Sequence, residues 1–144
     1  MHHKAGRNPE AEAAHRQALA LWENLVQDYP TVPEFQGELA RGYRNLGALL
    51  SHAGKPSEAQ SSNEKARAIA ERLVTAYPTV PGYRNDLAKV YHNLGQIYQQ
   101  MGKMKEAEAS LRKAQALWEK LAGDFPAVKE YQNNLKNLQP AKVK

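Results

Sequence analysis

The residues best suited to chemistry in this sequence are histidines and serines, and their spacing does not favour catalysis. The histidines stand at positions 2, 3, 15, 52 and 92, and no internal pair has the four-residue spacing that places two metal ligands on one helix face. The segment GKPS at 54–57 resembles a phosphate-binding loop, but no serine or threonine follows its lysine directly. Serines at positions 51, 57, 61, 62 and 110 have no recognisable base. The sequence therefore predicts no enzyme activity, metal site or cofactor.

Length and cysteine content narrow the class of protein. The chain has 144 residues, which is enough for one domain with its own core. It contains no cysteine, which excludes disulfides and thiolate chemistry and is typical of a reducing cytoplasm. No apolar stretch approaches the ~20 residues that a membrane-spanning helix requires. We therefore expect a cytoplasmic protein without a membrane segment.

Positive charge accumulates toward the C-terminal end. The net charge of +5 divides into −1 over residues 1–53, +2 over residues 54–101 and +4 over residues 102–144. A basic tail at 140–144, together with Tyr131, can contact a phosphate backbone. However, no row of aromatic residues provides a stacking platform for bases, and acidic residues alternate with basic ones, as on a solvated helix. Weak nucleic-acid binding is kept as an alternative function.

A repeat of 48 residues organises the chain. Residues 28–75 align with residues 76–123, and 21 of the 48 aligned positions are identical. Residues 1–27 match the second part of this unit, and residues 124–139 match its beginning. A period of this size indicates stacked units that bury their faces on their neighbours. We predict one repeat domain over 1–144, with two full units, a partial unit at each end and a basic tail at 140–144.

Each unit predicts two helices. Apolar residues recur at intervals of three and four, as on one helix face, and no strand-like alternation persists. Gly54 and Gly102 stand where a first helix must end, with Gly6 one period earlier, because glycine adopts the left-handed cap conformation without penalty. Pro9 and Pro56 stand where a second helix can begin. The predicted helices are 8–28, 32–52, 56–76, 80–100, 104–123 and 128–138.

The segment YPTVP occurs at 29–33 and again at 77–81, with FPAVK at 125–129. Its Pro-x-x-Pro spacing is found in peptides that bind aromatic grooves, but each copy lies between two predicted helices. Proline disfavours helix at the preceding residue, so each copy should end one helix, and Pro140 should break the last. Thr31 and Glu34 are expected to cap the next helix. The aromatic residue and Val32 or Val80 are expected to fill the wedge between hairpins.

The two helices of each unit also resemble a known family. Both full units carry residues of the tetratricopeptide repeat signature, and the resemblance extends over nearly the whole chain. The units are longer than the usual ~34 residues and are similar to the long repeats of bacterial multidomain proteins. The resemblance implies an all-α, right-handed solenoid of antiparallel helix hairpins with about six helices. The matching residues are Tyr43, Leu46, Gly47, Ala59 and Ala66 in the first unit and Tyr91, Leu94, Gly95, Tyr98, Ala107, Leu111 and Ala114 in the second.

Gly47 and Gly95 occupy the middle of predicted first helices. Glycine costs about 1 kcal/mol relative to alanine inside a helix, so another interaction should offset that cost. We expect close approach of the second helix, with the small residues Ala59 and Ala107 opposite the glycines.

Members of this family bind an extended peptide or a helix on the concave surface formed by first helices. The resemblance thus implies a protein-interaction or assembly module with a protein or peptide partner. The corresponding positions here are basic or carry amides, which suits an acidic peptide or a free carboxylate, although ordinary solvated residues would look the same. These positions are Arg41, Arg44, Asn45, Ala48, Ser51, His52, Lys89, His92, Asn93, Gln96, Gln99 and Gln100.

The predicted helix 8–28 offers a third possibility. Its residues Leu21, Trp22 and Leu25 lie on a face that no earlier complete helix in the sequence covers. Such an apolar edge can pair with a second copy and produce a homodimer. His15 lies on a packing stripe of the same helix, and we expect it to be a half-buried structural residue.

Overall fold

The computed structural model describes the backbone of residues 3–142 and the side chains of residues 9–138. This part of the chain contains six α-helices and no strand, which confirms the predicted all-α class. The helices are α1 (His3–Asp28), α2 (Pro33–His52), α3 (Pro56–Ala76), α4 (Pro81–Gln100), α5 (Met104–Asp124) and α6 (Lys129–Lys142). None of these described helices is both long and apolar enough to cross a membrane.

The helices form a chain of hairpins, in which α2 and α3 make the first hairpin and α4 and α5 make the second. Each helix packs against the next one in sequence, and the first helices α2 and α4 also contact one another. One apolar cluster includes Leu46, Leu50 and Leu73, and a second one includes Trp118 and Leu121. The core therefore continues along the stack, as expected of a repeat whose units bury their faces on neighbours.

Glycine ends the first helix of each hairpin, as predicted. Gly54 and Gly102 have φ angles of 80° and 77°, which belong to the left-handed region that glycine adopts without a Cβ penalty. The turn is closed by the amide of Lys55, which donates to the Leu50 carbonyl at 2.9 Å. In the second hairpin, the amide of Lys103 donates to the Tyr98 carbonyl at 2.8 Å.

The YPTVP segments lie between hairpins, also as predicted. The second helices end at Asp28, Ala76 and Asp124, one residue before the aromatic residue that precedes each proline. Pro33 and Pro81 are the first residues of α2 and α4, where no backbone N–H is needed. The segments therefore serve as helix punctuation.

Two details of the YPTVP segments differ from the prediction. Val32 is the N-cap residue of α2, and no side chain caps the helix, so the predicted capping box of Thr31 and Glu34 is wrong because Thr31 lies one residue too early. Tyr29, Tyr77 and Val80 are 55%, 40% and 38% exposed, so at these positions the predicted filling of a wedge is wrong. Val32 and Phe125 are partly buried, and Phe125 packs against the second apolar cluster. Tyr29 and Tyr77 instead lie at the surface, with their ring centroids 6.1 and 6.0 Å from those of Phe35 and Tyr83, respectively.

The outer helices are longer than predicted. Gly6 and Pro9 both lie inside α1, and Pro140 lies inside α6, so the helix boundaries predicted at these residues are wrong. A proline inside a helix removes one backbone hydrogen bond, and its ring crowds the carbonyl four residues earlier, at a cost of about 3 kcal/mol. In α1 and α6 the helix nevertheless continues past the proline.

The mid-helix glycines sit at points of close approach, as predicted. A Cβ atom on Gly95 would lie 2.6 Å from Leu111 Cδ2 and 3.4 Å from the Ala107 carbonyl oxygen. A Cβ atom on Gly47 would collide with Asn63 Nδ2 and lie 3.2 Å from the Ala59 carbonyl oxygen. The obstruction therefore comes from a second-helix side chain as well as from the backbone at the alanines. Packing between the helices offsets the low helix propensity of glycine.

Candidate functional site

The predicted binding residues lie on α2 and α4, the two first helices that contact one another. We call the surface that carries them the first-helix face. Its side chains fall into two groups: some are paired within the protein, and others are open to solvent. The paired side chains determine how the helices are held, and the open ones are available to a ligand.

Two predicted cations meet one carboxylate of the neighbouring helix. Arg41 Nε donates to Asp86 Oδ2 at 3.2 Å, and Arg44 Nη1 lies 3.6 Å from Asp86 Oδ1. The side chains of Arg44 and Asp86 are only 15% and 14% exposed, whereas that of Arg41 is 41% exposed. Burial lowers the pKa of the Arg44 guanidinium, and Asp86 offsets part of this change. Arg44 thus belongs to the contact between α2 and α4, while the Arg41 side chain remains partly exposed to solvent.

A similar pairing joins α4 to α6. Lys89 Nζ lies 3.2 Å from Glu130 Oε2, and Asn85 Nδ2 donates to the same oxygen at 3.1 Å. The hydrogen bond from Asn85 and the nearby Lys89 hold the pKa of Glu130 below its usual value, although burial opposes them. The side-chain oxygen of Asn85, Oδ1, accepts a hydrogen bond from Trp118 Nε1 at 2.8 Å. Asn85 therefore links the buried indole of α5 to the polar first-helix face.

The C-terminal ends of α2 and α4 are connected by a pair of hydrogen bonds. Ser51 Oγ donates to Gln100 Oε1 at 2.7 Å, and Gln100 Nε2 donates to the Ser51 carbonyl at 3.1 Å. His52 is exposed, and its Nδ1 donates to the Ala48 carbonyl of its own helix at 2.8 Å. The two bonds between Ser51 and Gln100 therefore connect α2 to α4 at one end of the first-helix face.

His92 is half-buried and faces α5. Its ring lies edge-on to the Trp118 indole, with the ring centroids 5.8 Å apart. Burial lowers the pKa of His92, so the imidazole is neutral at physiological pH. This placement gives His92 a packing role between α4 and α5.

Four open residues of the first-helix face carry amides, and two of them are one repeat period apart. Asn45 on α2 is exposed, and Asn93, 48 residues later on α4, is partly exposed; Gln96 is exposed and Gln99 partly so. Amide side chains offer both donors and acceptors. The first-helix face therefore presents polar groups on adjacent helices with the Arg41 guanidinium beside them.

Asp86 and Glu130 are the residues of this surface that sequence reasoning missed. Each neutralises a cation that the sequence alone had left free for an acidic ligand. A signal was available, because Arg41 to Asp86 and Asn85 to Glu130 are both separated by 45 residues.

The apolar edge predicted on α1 is smaller than expected. Leu21 is 66% exposed, but Trp22 and Leu25 are partly buried, and His15 is partly buried as predicted. A single exposed leucine is ordinary on a protein surface. Self-association through α1 remains a sequence-based hypothesis.

The described residues contain no group of three or more histidine, aspartate or glutamate side chains arranged to hold a metal ion.

Comparison with known families gave matches to models of the tetratricopeptide repeat. One model matches residues 1–28 and 39–74, and another matches residues 86–139. The searches of curated proteins and of solved structures found no match.

Proposed function

Because the chain belongs to the tetratricopeptide repeat family, whose repeats are non-catalytic interaction modules, we propose that it binds a segment of another protein on the first-helix face. The chain then acts as an assembly scaffold and has no catalytic activity of its own. The observation that carries this proposal is the set of open amides on α2 and α4, on helices that internal pairs hold in place.

Internal pairing supports a preformed binding surface. The contacts of Arg41 and Arg44 with Asp86, and of Ser51 with Gln100, connect α2 to α4. A partner that binds across both helices therefore need not order them, which preserves more of its binding free energy. Asn45 and Gln96 then supply hydrogen bonds to a peptide backbone or to polar side chains.

Charge favours a moderately acidic segment over a strongly acidic one. Arg41 has an exposed edge, but Asp86 and Glu38 already lie within 3.2 and 2.6 Å of its guanidinium. Lys89 likewise faces Glu130. A carboxylate of the partner would share these cations with resident acids, so amide hydrogen bonds must contribute part of the affinity.

A random-peptide library panned against the whole chain supplies ligands without assuming a partner. We expect the selected peptides to shift backbone amide resonances around Asn45 and Gln96. For an acidic peptide, Asn45→Glu with Gln96→Glu should weaken binding at least tenfold, about 1.4 kcal/mol, and the corresponding lysine pair should strengthen it. The control Arg112→Ala changes a 72% exposed side chain on α5 and should leave affinity unchanged. If neither the glutamate pair nor the lysine pair changes the affinity of the selected peptides, the proposal is overturned.

A further inference from the structure

A cleft of about 320 Å³ opens between α1, α2 and α3. Its floor consists of Leu19, Leu46 and Leu50, which are 5%, 3% and 1% exposed. Charged and hydroxyl-bearing side chains form its rim, among them Arg16, Glu23 and Lys65. None of the residues that line the cleft belongs to the first-helix face, so the cleft is a separate feature of the molecule.

The chain contains a second copy of this arrangement for comparison. We call the meeting of α1, α2 and α3 the first junction, and that of α3, α4 and α5 the second junction. The repeat period of 48 residues relates them position by position. In the first junction Tyr43 donates a hydrogen bond to Glu23, and Lys65 Nζ lies 5.4 Å from the centre of the Tyr43 ring.

The second junction has the same walls. Tyr91 donates to Glu71, and Lys113 Nζ lies 5.3 Å from the centre of the Tyr91 ring. These residues are the counterparts of Tyr43, Glu23 and Lys65, one period later in the chain. The tyrosine, glutamate and lysine of these walls are therefore shared by the two junctions.

What fills the space between these walls differs between the junctions. Leu50 on the floor of the cleft corresponds to Tyr98, and Arg16 on its rim corresponds to Glu64. The Tyr98 hydroxyl donates to Glu64 Oε2 at 3.1 Å, so its phenol ring extends from the floor position to the rim position. The second junction therefore uses a side chain of its own to occupy the volume that the first junction leaves open.

An arginine completes the filling of the second junction. Leu19 corresponds to Arg67, whose guanidinium donates to Glu64 at 2.5 Å and to Glu71 at 3.3 Å. Both acceptors correspond to residues on the rim of the cleft. With leucines at 19 and 50, the first junction lacks both of these larger side chains.

We propose that the cleft of the first junction binds an aromatic, tyrosine-like side chain of a protein partner, in the place that Tyr98 occupies in the second junction. The leucine floor matches the apolar body of a phenol ring. The rim supplies both donors and acceptors for its hydroxyl group. The volume of about 320 Å³ lies at the lower end of the range of binding pockets and is large enough for an aromatic ring.

The balanced charges of the rim favour an uncharged ring. Arg16 and Lys65 balance Glu23 and Glu58 on the rim, and burial together with Glu23 raises the pKa of Tyr43 to about 12, so its phenol is neutral. A charged side chain would therefore lose hydration without meeting a net opposite charge. A phenol loses less hydration and can hydrogen-bond to either kind of rim group.

The probe is p-cresol, which has the ring and hydroxyl of a tyrosine side chain. Titrated into the ¹⁵N-labelled chain, it should shift the amide resonances around Leu19, Leu50 and Ser62 with a dissociation constant of about 1–10 mM, as expected of so small a ligand. The charged analogue 4-methylbenzoate should bind at least tenfold more weakly. N-acetyltyrosinamide should shift the same resonances as p-cresol, because it carries the same ring on a peptide backbone.

Exchange of residues between the junctions gives a decisive control. Leu50→Tyr copies the second junction and should abolish the p-cresol shifts in the first. Tyr98→Leu with Arg67→Leu copies the first junction and should create a second p-cresol site, near Leu94, which decides the matter if Leu50→Tyr does not fold. The absence of shifts in the wild-type chain at about 20 mM p-cresol, or shifts that persist in Leu50→Tyr, would overturn the proposal.

Discussion

The first and second junctions have equivalent tyrosine–glutamate hydrogen bonds, yet the two hairpins to which they belong bury different side chains. The second hairpin buries the Trp118 indole against Asn85, whereas the corresponding positions in the first hairpin are the small residues Ala70 and Gly37. Opposite the mid-helix glycine, the second hairpin has Leu111 and the first has Asn63. A repeated backbone thus tolerates large changes in filling when the volumes of facing residues change together. Where they do not, as at Leu19 and Leu50, a cleft results.

The largest expected effect is loss of the indole of the second hairpin. Trp118→Ala should lower the free energy of unfolding by about 3–5 kcal/mol, because Trp118 is 1% exposed and its removal leaves Asn85 Oδ1 without its donor. Urea denaturation followed by circular dichroism measures the change. Trp22→Ala, at a partly buried position of α1, should cost clearly less. Equal losses would show that Trp118 is not the more tightly packed of the two indoles.

The mid-helix glycines should both tolerate alanine poorly. Gly95→Ala places Cβ 2.7 Å from the branched Leu111 Cγ, so we expect it to cost about 1–3 kcal/mol of unfolding free energy despite better helix propensity. Gly47→Ala places Cβ 2.8 Å from Asn63 Cγ and 3.2 Å from the Ala59 carbonyl oxygen, and Asn63 is fully buried, so we expect a loss of similar size. Leu111→Ala is the matched partner: combined with Gly95→Ala, it should lose less stability than the two single changes added together. A Gly95→Ala variant as stable as wild type would contradict the proposed close packing.

A smaller effect, in the stabilising direction, is expected at Asn63. This residue is fully buried, its Nδ2 donates to the Ala59 carbonyl at 3.2 Å, and its Oδ1 accepts no hydrogen bond from the described residues. Leucine fits the equivalent space beside Gly95, so Asn63→Leu should raise the free energy of unfolding by about 1 kcal/mol. The reverse change in the second hairpin, Leu111→Asn, should lower it. Destabilisation by Asn63→Leu would mean that the two hairpins differ in backbone spacing as well as in filling.

The smallest effect concerns acid. The pKa of His92 in the folded chain lies below its ordinary value of 6.5 because of burial, so the unfolded chain binds a proton more readily. The stabilisation from neutral His92 is complete above pH 6.5 and is lost as the pH falls toward the folded pKa. His92→Gln should therefore flatten the decline in melting temperature between about pH 7.5 and 5. His52→Gln, at an exposed position, is the control and should preserve the slope, and an unchanged slope in His92→Gln would rule out this origin of acid sensitivity.

Features that depend on residues adjacent in the sequence were predicted correctly at most helix ends. Gly54, Gly102 and the prolines of the YPTVP segments end or begin helices through their own backbone geometry, so their roles follow from residue type. The same reasoning failed at Gly6 and Pro9. A local signal for a helix end can be overridden when the remaining backbone hydrogen bonds continue the helix.

Properties of the candidate sites depend on residues far apart in the chain. The sequence identified Arg44 as a ligand-facing cation, but its burial beside Asp86 requires α2 and α4 to meet. The cleft likewise depends on residues from three helices. Its positions could be aligned with those of the second junction from the sequence, but the alignment alone could not show that Tyr98 crosses the equivalent space to reach Glu64.

The period, the helix hairpin and the inner helix ends could be read from the residues alone, because they follow from local backbone preferences and from apolar spacing along one chain. Tertiary structure decided which cations are free, which face of each helix is open, and where the two junctions differ in volume. Those properties depend on distances between side chains of different helices, and pairing or exclusion at 3–4 Å changes them without any change in the repeat pattern.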